Sequence, residues 1–336
     1  MDRVLVTGIS GFLGGHIALQ LLNSGYIVRG SVRNLSKARK VRDTLARAGA
    51  EVSRLEVVAL DLLDDAGWRA AMEDVRYLQH TASPFVLETP KDPQELIRPA
   101  VEGTERALTS ALAANVERVV LTSSTAAITY GHPRDRRRFS SADWTKIEGR
   151  PVPAYQQSKT LAERRAWSIM DAAGRRGDMA VINPSGIFGP LLDEDPGTSA
   201  QVVGTLLGGR MPALPRLGLN PIDVRDVAEA HLRAMTASGA GGRRHPMAVN
   251  GYYLADAARL LRQHYPDRRI SARLMPDWFV RLAAIAVPMM RPVVDELGEA
   301  KTVDSSEALS LLGRPFVAAD DAILSTAESL LAHGFV

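Results

Sequence analysis

The chain has 336 residues, 46% of them hydrophobic and none of them cysteine. That is enough apolar material for one large α/β domain or a core with a smaller lobe, and the lack of cysteine excludes disulfide scaffolds, thiolate metal sites and cysteine nucleophiles. No metal is expected, and a cysteine-free chain suits the reducing cytoplasm, the expected compartment. The 41 basic and 38 acidic side chains leave a net charge of only +3, too little for a basic face, so no nucleic-acid partner is expected.

Residues 3–7 are a short apolar run that reads as a strand and is too short for the core of a secretory leader. Gly8, Gly11 and Gly14 follow it, with Phe12 and Leu13 between the last two, and a helical pattern runs over 16–24. A strand, a glycine turn and a helix in that order point to a dinucleotide site. Gly8 makes the tight turn, Gly11 admits the pyrophosphate, and Gly14 lets the helix pack on the sheet. The next strand, 26–32, ends at Arg33, where an NAD site would place a carboxylate for the ribose hydroxyls. A guanidinium attracts a 2′-phosphate instead, which favours NADP. Lys37, Arg39 and Lys40 either add to that contact or form a solvated helix start. A strand over 52–59 leads to Asp61 and Leu62. Asp61 either accepts from the adenine amino group or caps the following turn.

Strands are expected at 77–81, 118–122 and 179–183, with a helix at 99–114. The end of the strand at 118–122 offers Ser123, Ser124 and Thr125. The run 134–138, with four arginines around Asp135, has no aromatic platform and reads as a solvated loop. Tyr155 and Lys159 stand four apart on a helical segment and so share one face, where the ammonium is expected to lower the tyrosine pKa. Beyond Pro184, glycine and proline crowd 186–221. Residues 222–234 then read as a helix capped by Asp223 or Asp226, and further helices are expected at 256–263, 277–286 and 320–333. The apolar stretch 278–290 is interrupted by Arg281 and Pro288 and is too short to span a membrane, so a buried helix is expected there.

Strand and helix in alternation predict α/β architecture: a doubly wound parallel sheet of the Rossmann type with a smaller mixed C-terminal lobe. The expected division assigns 1–184 and 221–240 to the cofactor domain, and 185–220 with 241–336 to the substrate lobe.

The stretches TGISGFLGGHI, SVRNLSKARKV, HTASPF, VERVVLTSSTAAI, YQQSKTLAERRAW, NPSGIFGP and IDVRDVAEAH, taken together, resemble an extended short-chain dehydrogenase/reductase. Within that group the chain is similar to the dihydroflavonol reductase, cinnamoyl-CoA reductase and yeast aldehyde/ketone reductase branch. The resemblance implies that Ser124 holds a substrate carbonyl, that Tyr155 is the general acid, and that Lys159 binds the nicotinamide ribose and tunes the tyrosine. It further implies that Arg33 and Lys40 meet the 2′-phosphate, that Asp61 and Leu62 meet the adenine, and that Thr81, Ala82, Pro184 and Ile187 border the ribose and nicotinamide.

Two departures stand out: Thr129 occupies the position of the asparagine found in plant dihydroflavonol reductases, and the cysteine form of the tyrosine motif is absent. The expected reaction is reduction of a ketone or aldehyde by NADPH. Its substrate is a bulky apolar or aromatic carbonyl compound, taken into a largely apolar pocket walled by Ser83, Phe85, Thr129, Phe188 and Met211. A steroid dehydrogenase, a sugar-nucleotide epimerase and a non-catalytic NADP-binding regulator are the rival readings. The expected assembly is a monomer or a homodimer, away from membranes.

Overall fold

The alternating strands and helices assemble, in the computed structural model, into one parallel sheet with helices on both faces. The structure describes residues 1–83, 92–148, 151–194, 197–286, 291–298 and 300–336. The sheet is formed by β1 (Arg3–Thr7), β2 (Ile27–Val32), β3 (Leu55–Ala59), β4 (Val75–His80), β5 (Arg118–Thr122), β7 (Met179–Pro184) and β10 (Arg244–Met247), in the order β10-β7-β5-β4-β1-β2-β3. Two short pairs stand apart from it: β6 (Arg138–Phe139) with β11 (Thr302–Val303), and β8 (Ile187–Phe188) with β9 (Ile222–Asp223).

Side chains in a strand alternate between faces, and a sheet covered on both sides needs both sets apolar. Val4, Val6, Val120, Ala180 and Ile182 enter one core with α1 (Phe12–Asn23), α2 (Ala38–Arg47), α7 (Val224–Thr236) and α11 (Ser306–Leu312). Their neighbours Leu5, Val119, Leu121, Met179 and Val181 enter the opposite core with α3 (Trp68–Ala71), α4 (Gln94–Ala113) and α5 (Ala154–Ala172). A third cluster joins α6 (Gly197–Leu207), α8 (Leu254–His264) and α12 (Ala319–Ala332).

The structure shifts some expected boundaries. Residues 52–54 form a 3₁₀ turn ahead of β3, and α4 begins at Gln94 with Pro99 inside it. Strand β10, within the stretch assigned to the lobe, is an edge of the main sheet, and Ala308 and Leu312 pack into the first core; both belong with the cofactor domain. The expectation of a buried helix over 278–290 is overturned for α9 (Asp277–Ala286): Val280 and Ala284 are buried, but Trp278, Leu282 and Ile285 are exposed. An apolar composition made both faces of that helix look alike, whereas packing selected only one. A further short helix, α10, covers Arg291–Glu296. Among the described residues, no helix is long and apolar enough to cross a membrane.

Of the two candidate caps for α7, Asp223 is the one used. Its carboxylate accepts from Arg225 N at 2.8 Å and from the Arg225 guanidinium at 2.8 and 2.7 Å. Asp226 is instead buried inside the first turn, accepting from Val317 N. Asp223→Ala is expected to cost about 0.5–2 kcal/mol through loss of the cap, read as a lower urea midpoint with unchanged slope, and Asp223→Asn should recover most of it.

Candidate active site

All seven strands run the same way, so their C-terminal ends deliver their loops to one edge. The crevice opens beside β1, where the chain crosses from one half of the sheet to the other. Gly8 sits at φ +71°, and a Cβ there would lie 3.0 Å from Ala82 Cα. A Cβ on Gly14 would lie 2.3 Å from the Gly8 carbonyl oxygen, so any side chain would force α1 away from the loop. Gly11 caps α1 with no side-chain hydrogen bond, and the first turn carries no acidic residue. The N–H groups of that turn are thus available to an anion. Thr7 ties the turn to β4: its Oγ accepts from Thr81 N and Ala82 N at 3.1 Å each and bonds His80 Nδ1 at 2.9 Å.

A cavity of about 780 Å³ runs from Gly8, Gly11, Phe12, Leu13 and Gly14, past Thr81 and Ser83, to Ser124, Thr129, Tyr155, Lys159, Pro184 and Ile187. These residues are spread over 180 positions of sequence, and the sheet brings them together. Arg33 and Asp61 stand at the ends of β2 and β3, with Arg33 Nε 3.9 Å from the Asp61 carboxylate and the arginine largely exposed. Asp61 also accepts from Leu63 N at 2.9 Å, as a turn cap does. Leu62 packs against the second core. Lys40 pairs with Asp193 at 3.1 Å, and Arg39 with Asp43 at 3.7 Å.

Three expectations about the pocket wall change. Phe188 is 2% exposed and belongs to the lobe core, which Met211 also joins; neither lines the cavity. Phe85 lies outside the described residues. The substrate end is not largely apolar, because Tyr130, Arg137, Gln156, Asn220, Glu296 and Lys301 share its wall. Tyr130 and Gln156 lie close to Ser124 and Tyr155 in the chain, but nothing in the sequence turns their side chains inward. Arg137 was hidden in the basic run, while Glu296 and Lys301 come from a distant segment that only the β6–β11 pairing brings near.

At the floor, Tyr155 and Ser124 share a side-chain hydrogen bond. Ser124 Oγ also accepts from Ala126 N at 3.1 Å and donates to the Pro184 carbonyl at 3.3 Å. Burial pushes the Tyr155 phenol up from its ordinary value, opposed by the Ser124 bond. This corrects the expected lowering by Lys159, whose Nζ lies 5.9 Å from the ring centroid: four-residue spacing brings the two together, but withdrawal from water dominates. Burial likewise lowers Lys159 to about 8, with Glu163 acting against the fall.

Glu163, one helical turn beyond Lys159, is missed by sequence reasoning. Its buried carboxylate accepts from Ser123 Oγ at 2.5 Å, Asn183 Nδ2 at 2.8 Å, Trp167 Nε1 at 3.2 Å and Arg244 Nε at 2.5 Å. Arg244 also donates to the carbonyls of Ser141 and Asp143 at 2.8 and 2.5 Å. The one available signal was a carboxylate on the inward face of a helix, four residues after a lysine.

The chain is similar to known proteins over most of its length. Residues 4–249 match the model of the NAD dependent epimerase/dehydratase family. The chain is 35% identical to cinnamoyl-CoA reductase CAD2 of Medicago truncatula, over 82% of this chain and 84% of that one. It is 30% identical to the NADPH-dependent methylglyoxal reductase GRE2 of Saccharomyces cerevisiae, over 98% of each. The solved structure of the yeast methylglyoxal/isovaleraldehyde reductase Gre2 complexed with NADPH superposes with a TM-score of 0.80 at 27% identity, covering 99% of this chain and 100% of that one.

Lys159 supplies a test through linkage. Its folded-state value of about 8 lies below the ordinary 10.5, so above pH 8 the unfolded chain holds this proton more firmly than the folded one. Stability should therefore gain from this group as pH climbs from about 8 toward 10.5, and the penalty should be fully present below 8. Urea midpoints of the wild type should rise relative to those of Lys159→Met across that window; parallel curves would contradict the buried ammonium.

Proposed function

The chain belongs to the NAD dependent epimerase/dehydratase family, the extended short-chain dehydrogenases/reductases, and on that premise we propose that it is an NADPH-dependent carbonyl reductase with Tyr155 as general acid. The observation that carries this reading is the hydrogen-bonded pair of Ser124 and Tyr155 hydroxyls on the floor of a cavity that begins at the glycine loop. The NADPH dependence of the similar yeast methylglyoxal reductase, and the NADPH in the solved Gre2 structure, support the cofactor assignment.

The residues present fit that cofactor. Gly8 and Gly14, where a side chain would meet backbone, let the turn and α1 pack closely, and the first-turn N–H groups of α1 would hold its pyrophosphate. Arg33 would take the 2′-phosphate by paired charge-assisted bonds; Lys40 can add to it only by leaving Asp193. Asp61 and Leu62 would border the adenine, Thr81 and Ala82 the ribose, and Pro184 and Ile187 the nicotinamide. When bound, NADPH supplies the hydride.

The protein does the rest by placing and protonating. Ser124 orients the substrate carbonyl oxygen toward Tyr155. Because burial keeps the phenol protonated at neutral pH, Tyr155 holds a proton ready for the oxygen as negative charge develops there. Lys159, charged below about pH 8, lies beside the phenol, stabilises the phenolate left behind and binds the nicotinamide ribose. Thr129 and Ser83 form part of the substrate wall.

The first test is NADPH consumption at 340 nm with aryl ketones, β-keto esters and aldehydes. Tyr155→Phe is expected to lower kcat by about 10²- to 10⁴-fold while leaving NADPH affinity nearly unchanged, since only the proton donor is removed. Undiminished turnover would remove Tyr155 from the mechanism. Arg33→Asp should weaken NADPH about 10- to 100-fold while sparing NADH, the range set by losing a hydrogen bond to a charged group. An unchanged preference would show that the 2′-phosphate is held elsewhere.

A further inference from the structure

The four arginines of 134–138 look alike in sequence, yet the fold gives them different roles. Arg136 pairs with Asp143 at 2.5 Å and covers the Phe139 ring. Arg138 is an exposed residue of β6. Arg137 alone in the run lines the catalytic cavity. Its backbone is anchored there, because its carbonyl accepts from Thr302 N at 2.7 Å beside the β6–β11 pair. Its guanidinium has no hydrogen-bond or ion-pair partner among the described residues.

The charges around it are already matched. Glu296 is the one carboxylate among the described lining residues, and both its oxygens lie 3.0 Å from Lys301 Nζ. Lys301 in turn sits 4.0 Å from the centre of the Tyr130 ring. Tyr130, Gln156 and Tyr155 line the same cavity, so this wall is continuous with the catalytic floor. Arg216, which pairs with Asp277 at 2.8 Å, approaches Arg137 over Gly298: a Cβ there would lie 3.7 Å from Arg137 Nη2 and 3.8 Å from Arg216 Nη2. Two guanidiniums therefore approach the site of Gly298, and one of them lacks a counter-ion among the described residues.

A partly buried cation without a partner favours an anion, and a guanidinium suits planar or tetrahedral oxyanions. We propose that the substrate carries an anionic tail, a carboxylate or a phosphoryl group, which Arg137 receives on the wall of the cavity while the carbonyl rests against Ser124 and Tyr155. This rests on the carbonyl reductase reading and narrows its substrate class to carbonyl compounds with an acidic arm. Arg137 is then a specificity residue, and the pocket departs from the apolar one expected from sequence.

The test compares levulinate and para-acetylbenzoate with their methyl esters, together with dihydroxyacetone phosphate, in wild type and Arg137→Gln. At least one acid or the phosphate should exceed the neutral esters by about tenfold or more in kcat/KM, an advantage that shrinks with added salt. A carboxylate tail is indicated if an acid leads, and a phosphoryl tail if the phosphate does. Arg137→Gln should remove that advantage chiefly through KM, leaving ester turnover and NADPH affinity near wild type. Esters turned over as well as every anion, or an Arg137→Gln loss shared equally by esters, would overturn the anionic tail and leave the reductase standing. Weakened NADPH binding in the variant would assign the charge to the cofactor instead. No NADPH oxidation with any of the five compounds or with the neutral panel would overturn the reductase reading and the inference with it.

Discussion

The catalytic edge of this protein depends on one buried ion pair. Glu163 is fully buried and Arg244 nearly so, and six hydrogen bonds of 3.2 Å or less join α5, the residue after β5, β7, β10 and the 141–143 loop through them. Two charges withdrawn from water gain little net free energy from their mutual attraction, but removing either partner strands the other at a cost of about 3–5 kcal/mol. The pair therefore acts less as a source of stability than as a constraint on geometry. Ser123 and Asn183, the residues it grips, stand next to Ser124 and Pro184, and Lys159 lies one turn before it on the same helix.

That constraint explains how the proposed acid, Tyr155, can be held partly out of water. Tyr155 and Lys159 are both partly buried, and withdrawal from water pushes each toward its neutral form. The Glu163 carboxylate works against this for the lysine, keeping an ammonium beside the phenol near neutral pH. His80, bonded through Nδ1 to Thr7 and lowered to about 3 by burial and by the charge of Lys159, stays neutral beneath the same floor. The floor of the site thus carries the positive charge of Lys159 where a phenolate would form, beside a neutral His80.

The two ends of the cavity are built differently. The cofactor end relies on backbone: glycines whose missing side chains let a helix N-terminus and a turn come close together. The substrate end relies on side chains from segments far apart in the chain, drawn together by the short β6–β11 pair. A dinucleotide leaves the first kind of construction little freedom. The second kind can differ with each substrate.

The order of strands and helices, the glycine loop, and the Ser124, Tyr155 and Lys159 set were legible in the sequence because each is local: a period, a turn, or a four-residue spacing on one helix face. Arg33 and Asp61 were legible for the same reason, standing at strand ends. Long-range contact decided the rest. β10 reads Arg-His-Pro-Met, which no strand pattern picks out, and nothing local says that it pairs with β7. Phe188 is as hydrophobic as a pocket wall requires, and packing placed it in the lobe core. α9 exposes an apolar face that its composition had assigned to the interior. Arg137 could be told from Arg134, Arg136 and Arg138 only once β6 had docked on β11, since the direction in which a side chain points depends on what its backbone pairs with. The sequence by itself determined the fold class and the candidate catalytic groups; tertiary structure alone decided which charges line the cavity, because that depends on contacts between residues more than a hundred positions apart.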